Sequence, residues 1–320
     1  MRLPLLARGA PRKAARLTGL RAWLDAVRRD RKASAGAVIM AVFLLLGLLG
    51  PLLAPSPAAL VGVPHSPPSL AHWLGTTGQG QDVLAQAVAG TRASLALGFL
   101  VGGLVVLVGA VIGVTAGYVG GRVDTALSLL VNVFLVIPGL PLAIVIAAYL
   151  PAGPATVALV LTVTGWAWNA RVLRAQTLAL KKRDFVAAAV VAGEPGIRIV
   201  LRELLPNMTS LLVAQVIGST VYAIGAQVGL EFLGLGDVSS VTWGTNLYWA
   251  ANDAALLTGA WWTYVPTGLC IALVGFALTM LNAGFDEITN PRLQLERAWR
   301  DALGRAGLAT PRSTPVVSRG

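Results

Sequence analysis

The chain has 320 residues, of which 56% are hydrophobic and only 12% charged, and its mean hydropathy is +0.72; soluble domains carry about 25% charge, so a water-soluble globular protein is excluded. The net charge of +11, from 25 Lys and Arg against 14 Asp and Glu, would suit either a nucleic acid or an anionic membrane surface. Ten basic residues precede residue 35, seven lie between Arg171 and Arg202 and six follow Gly284, which leaves no span-free basic domain to hold a nucleic acid.

A hydrocarbon core about 30 Å thick takes about 20 apolar residues per helix, and runs of that kind predict an all-α polytopic membrane protein with six transmembrane helices. The basic tail, 1–34, has Leu20, Trp23, Leu24 and Val27 on one helical face and arginines on the other. It reads equally as a surface helix or as a solvated anchor. The first span, 35–54, ends at Pro51 and Pro55, and an apolar run of this length after such a tail reads as a retained anchor, not a cleavable signal. An extracytoplasmic loop, 55–90, carries His65 and His72, read as bystanders, and a Gly-rich stretch at 75–80.

The permease domain, 91–285, supplies the other five helices. The span 93–118 is rich in Gly and Val, which let membrane helices approach closely. Residues 126–170 carry no charge and are too many for one span; Pro151, Gly153 and Pro154 divide them into a helix 126–150, kinked at Pro138 and Pro141, and a short helix 155–170. The fifth span covers 211–230. The sixth covers 261–285 and opens with Trp261, Trp262 and Tyr264 at interfacial depth. A tail, 286–320, turns to Ala, Thr, Pro, Ser and Arg and is expected to be disordered after about 305.

With the N-terminus inside, 24 of the 25 basic residues fall on the cytoplasmic side and only Arg92 outside. The positive-inside rule therefore places both termini in the cytoplasm. The spans as drawn hold no Asp, Glu, Lys, Arg or His, which speaks against an ion-coupled secondary transporter, the principal alternative; a non-transporting scaffold is a weaker one. There is no internal repeat and no G-x-x-x-x-G-K-[ST] phosphate loop. The single cysteine, Cys270, excludes a disulfide framework and a thiolate metal cluster. No catalytic constellation and no metal site are expected, so any nucleotide hydrolysis must come from a partner.

The segment 181–207, KKRDFVAAAVVAGEPGIRIVLRELLPN, predicts two short helices around a turn. The first, 184–192, starts with Asp184 at its positive dipole end and stops at Gly193. Pro195 then leads a second helix, 196–205, ended by Pro206. Such a knuckle is too small to fold alone and reads as a docking element.

This segment resembles the EAA loop of ABC importer permeases: Ala187, Ala188 and Ala189, then Gly193, then Leu205 and Pro206 take the motif's places, with Ala187 where the family has Glu. Asp184, one turn earlier, stands to take up the missing contact. The run from His72 to Thr76 with Gly80 to Leu84 resembles the H-x-L-G-T and G-R-D-V-L pattern of the dipeptide, oligopeptide and nickel permeases, with Gln81 for Arg. Leu230 to Gly236 with Trp243 and Gly244 resembles their L-S-F-L-G-L-G and W-G, with Glu231 for Ser, and Asn290, Pro291, Arg292 and Leu293 resemble their D-P-R-L. These segments span about 70 to 293 and match the C-type partner of the family's two permeases.

The resemblance implies a type I ABC importer permease fold acting as half of a heterodimer, with a homologous second permease, two ATPase subunits that bind ATP and Mg, and an extracytoplasmic substrate-binding protein. It assigns ATPase docking to Asp184, Phe185, Ala187, Ala188, Ala189, Gly193, Glu194, Arg198, Leu205 and Pro206. Structural roles go to Gly75, Thr76, Gly80, Asp82, Gly234, Gly236, Trp243, Gly244, Asn290, Pro291 and Arg292. The FLGLG stretch is read as a tight re-entry turn. No cofactor is implied in this chain, no substrate-contacting residue is assigned, and peptides, nickel chelates, opines or oligosaccharides would all suit an uncharged path.

Overall fold

The computed structural model describes residues 30–53 and 56–289. The tail up to residue 29, the closing motif Asn290, Pro291 and Arg292, and the region after 305 lie outside them. Among the described residues the fold is helical, with two isolated β-bridges, Leu60 to Gln81 and Thr76 to Asp82, and no strand.

Helix α1, Arg31–Leu53, begins where the Asp30 carboxylate accepts the backbone N–H groups of Lys32 and Ala33, a cap that satisfies two otherwise orphan donors. Helix α2, Val83–Val119, begins ten residues before the apolar run that the sequence marks. Asp82 starts it by accepting from the Ala85 N–H at 3.0 Å, so Arg92 lies within the helix and not in a loop. Its 37 residues reach about 55 Å, well beyond the bilayer core. Hydropathy sees only the part that lipid surrounds.

The expected single helix 126–150 is two: α3, Gly121–Val136, and α4, Gly139–Ala148, meet at 84°. Pro138 is the cause, because it has no N–H to give to Phe134 and its ring excludes the preceding residue from helical geometry. Pro141 falls in the first turn of α4, where proline is tolerated, and adds no kink of its own. The expected short span 155–170 is the apolar half of α5, Pro154–Lys181, which continues through Arg171 and Arg174. Helix α6, Asp184–Val191, and α7, Gly196–Ile199, form the knuckle. Helix α8 is Thr209–Phe232, α9 is Trp243–Asn252, and α10, Val265–Thr289, follows a 3₁₀ turn at Trp261–Thr263. Among the described residues, four helices are long and apolar enough to cross a membrane, five if α3 and α4 count as one span.

Helix α2 is the post around which the others pack. In lipid there is no hydrophobic gain from pairing helices, so close van der Waals packing must hold them. Gly109, Gly113 and Gly117 of α2 admit α5: a Cβ on Gly113 would lie 2.3 Å from the Ala170 carbonyl oxygen, and one on Gly117 2.9 Å from that of Arg174. Eleven residues earlier than Gly113, Gly102 admits α8, with the Thr220 backbone nitrogen 2.8 Å from a Cβ there. Val101 and Val105 join residues of α4, α5 and α8 in one buried cluster, while Met40, Phe43, Leu95, Val274 and Leu278 unite α1, α2 and α10 in another.

Polar contacts fasten α3 to α5 at the basic end. Arg174 grips the Asp124 carboxylate with two N–H groups, at 2.5 and 2.7 Å, and Arg171 donates to Asn132 at 2.8 Å. Bidentate pairs of this kind fix orientation as well as distance.

The packing gives a direct test. Gly113→Val pushes a side chain into backbone that cannot yield and should lower stability by about 1–3 kcal/mol, whereas Gly103→Val, where a Cβ meets nothing within 4 Å, should cost little. Thermal melts of the two variants in detergent separate them.

Candidate functional site

Three places stand out, two of which hold the residues that the sequence singles out. The first is the knuckle at the basic end. Helix α6 closes with paired backbone bonds, Glu194 N–H to the Ala189 carbonyl at 3.1 Å and Gly193 N–H to Val190 at 3.0 Å, which require Gly193 at φ +75°. This is the reciprocal helix-ending motif that glycine permits. The second limb differs from the expected plain helix 196–205. A π-helical turn, Val200–Leu204, follows α7, and Pro206 sits inside a last short turn, Leu205–Asn207, without ending the limb. The Leu205 N–H reaches back five residues to Val200, a phase shift that accommodates a proline unable to donate to Arg202.

Val186, Ile199 and Leu204 are buried together, with Phe185 and Ala189 beside them, and this small core rests on Tyr118 at the end of α2 and Leu180 at the end of α5. Lys181 adds a bond from its ammonium to the Tyr118 carbonyl. Asp184, Ala187, Ala188, Arg198 and Pro206 are exposed, Leu205 packs inward, and Glu194 pairs with Arg198 at 3.0 Å. Val190, Val191, Ile197 and Leu201 are left 56–89% exposed. An apolar patch on an otherwise self-packed element marks a contact surface.

The second place is a cavity of about 430 Å³ at the break between α3 and α4, closed by α5 and α8. Asn169 of α5 donates from Nδ2 to the Ser219 hydroxyl of α8 at 3.1 Å, and Gln215 and Tyr222 of α8 also line it. Among the described residues, no acidic or basic side chain lines it. Sequence reasoning missed these residues, since no motif marks them and Asn169 and Ser219 are fifty positions apart.

The third place is the far face, where the two distant motif segments both reach the first turns of α2, one through Asp82 and the other through Trp243. Gly75 and Gly80 take φ of +71° and +80°, and the buried Thr76 hydroxyl donates to the Val63 carbonyl at 2.6 Å. Asp82 caps α2 with one oxygen and meets His72 Nδ1 at 3.0 Å with the other, so His72 is a structural partner, not a bystander. The Trp262 indole donates to the Thr76 carbonyl at 3.1 Å, and His65 Nδ1 lies 3.4 Å from the Thr258 hydroxyl. Burial raises the carboxyl pKa of Asp253 above its ordinary value, opposed by the nearby His65.

Gly234, at φ +76°, turns the chain out of α8, and Gly236 and Gly244 both close on Glu231: a Cβ on either would come within 2.8 Å of that side chain. Glu231, expected just beyond the fifth span, is instead in α8 and only 4% exposed. It accepts from the Thr242 hydroxyl at 2.6 Å and the Gln227 amide at 3.0 Å, which offsets the cost of burying an acid. Trp243 is fully buried; its indole donates to the Ala87 carbonyl at 3.2 Å and its N–H to the Ser94 hydroxyl at 3.0 Å.

A bundle of apolar helices with a polar, uncharged pocket lining and an exposed apolar row on a helical knuckle is the arrangement of a membrane permease component. Residues 109–292 match the family described as binding-protein-dependent transport system inner membrane component, and the chain belongs to it. Its relatives include the Bacillus subtilis dipeptide transport system permease protein DppC, 33% identical over 84% of this chain and 86% of the relative. The oligopeptide transport system permease protein OppC of the same organism is 30% identical over 85% and 90%. The Mycobacterium bovis OppC is 30% identical over 70% and 77%.

Asp82 separates two roles on the far face. Asp82→Ala removes both the cap and the His72 contact and should cost about 1 kcal/mol or more, while Asp82→Asn keeps a capping oxygen and should lose only part of that. Denaturation midpoints in detergent decide whether the two differ in this order.

Proposed function

We propose that this ABC importer permease subunit carries short peptides across a bacterial cytoplasmic membrane as half of a heterodimer with a homologous permease, receiving them from an extracytoplasmic binding protein. Two partner ATPases bind ATP and Mg and dock on the knuckle. The observation that carries the docking is the exposed row Val190, Val191, Ile197 and Leu201 on a helix pair that packs its other side on α2 and α5. The printed functions of the relatives, dipeptide and oligopeptide transport, support the peptide reading.

The mechanism is alternating access driven from the basic end. Closure of the ATPases on ATP shifts the knuckle, and its core on Tyr118 and Leu180 carries the shift into α2 and α5 without loosening a joint. The six-span arrangement counts α3 with α4 as one bent span and the apolar half of α5 as another, with both termini and the knuckle in the cytoplasm. The distribution of Lys and Arg supports it. Among the described residues, the cavity offers the ion-coupled alternative no acidic or basic group.

Two outcomes test this reading. A reporter active only in the cytoplasm should work after Lys182 and fail after Gly75; equal signals overturn the six-span drawing. Gly193→Val strains a backbone at φ +75° by about 1–3 kcal/mol, so the permease should reach the membrane and pair with its sister but co-purify few ATPases and import little. Asp184→Ala should give a milder defect. Full ATPase recovery and full uptake with Gly193→Val would reduce the knuckle to a connector.

A further inference from the structure

The cavity at the α3–α4 break has features that a packing defect lacks. Proline at 138 leaves the Phe134 carbonyl without its ordinary helical donor, and backbone freed in this way is tolerated at membrane depth only where it is buried against polar groups or lines a watered space. Phe134, Leu135, Ile137 and Gly139 line the cavity at that point. At about 430 Å³ it has room for about a dozen waters and falls in the size range of small-ligand sites.

The lining chemistry is selective. Asn169 and Ser219 are held together across α5 and α8, with Asn169 only 3% exposed. The Gln215 side-chain nitrogen is shielded from solvent yet has no hydrogen-bond partner, although it is one turn from Ser219 on the same wall. Carboxamides and hydroxyls both donate and accept, as a peptide bond does. A wall with no fixed charge neither attracts nor repels an ionised substrate side chain.

We infer that this cavity is a transit site for the substrate's peptide main chain, in which Gln215, with the Asn169 and Ser219 pair beside it, hydrogen-bonds the amide while side chains of any charge pass. The inference rests on the peptide-import reading and gives that path a location. It makes Gln215 a specificity-determining residue, and its contribution is the hydrogen bond it has no other partner to satisfy.

The test uses the whole transporter, co-expressed with its partners and reconstituted in liposomes. Gly218 faces the cavity, and a Cβ there meets nothing within 4 Å, so Gly218→Cys in a Cys270→Ala background gives a thiol with little disturbance. A membrane-impermeant maleimide should label it. Dialanine supplied with binding protein and ATP should slow labelling several-fold, and free alanine at the same concentration should not. Gln215→Leu should lower the maximal rate of dialanine uptake about tenfold, the worth of one or two hydrogen bonds, with ATPase recruitment intact; if that variant does not assemble, the labelling experiment decides. A thiol that stays unlabelled, or reacts equally with and without dialanine while uptake proceeds, overturns the transit site and leaves peptide import standing. A wild-type complex that hydrolyses ATP but moves no dialanine overturns both.

Discussion

Backbone contact between α2 and its neighbours is the constraint on which the rest depends. A bilayer offers no hydrophobic reward for bringing two apolar helices together, so the bundle must gain its cohesion from dense packing. The chain meets that need at Gly102, Gly109, Gly113 and Gly117, where a methyl group would already collide with the main chain of α5 or α8. Since α5 runs directly into the knuckle and α8 runs directly out of it, this seam also fixes where the knuckle hangs. The Tyr118 contacts with Lys181 and with the core of the knuckle complete the joint at the end of the same helix.

A second consequence follows from what α2 does not touch closely. Helices α3 and α4 pack less extensively on it than α5 and α8 do, and there the chain breaks at Pro138. The residues at this 84° bend, Phe134, Leu135, Ile137 and Gly139, form the cavity wall opposite α5 and α8. Cavity and knuckle thus lie along one continuous element, α5, with Asn169 above and Leu180 below. The far face is held by a different means, the interlock of Trp243, Glu231 and the two glycines that close on it.

Much of this was legible in the sequence because the bilayer imposes a strong filter. Long charge-free runs marked the helices of the bundle, and Gly193 announced the end of α6. What hydropathy could not give were the parts of helices outside the hydrocarbon, such as the first ten residues of α2, set by the Asp82 cap. Proline in an apolar run signals a kink, but whether it bends or breaks the helix depends on what packs behind it. The burial of Glu231 was hidden because Thr242 and Gly244, which make room for it, come more than ten residues later. Asn169, Ser219 and Gln215 were invisible for the same reason: single polar residues in apolar helices acquire meaning only when their partners are known.

The claim at the centre is that the exposed apolar row of the knuckle is the surface the ATPases occupy. Amide hydrogen exchange across residues 184–207, compared between the permease pair alone and the complete transporter, tests it without altering a residue. The account predicts that the ATPases slow exchange around Ala187 to Val191 and Ile197 to Leu201 and leave the loop of Gly75 to Asp82 unchanged. Exchange in 184–207 that is the same with and without bound ATPases would contradict it.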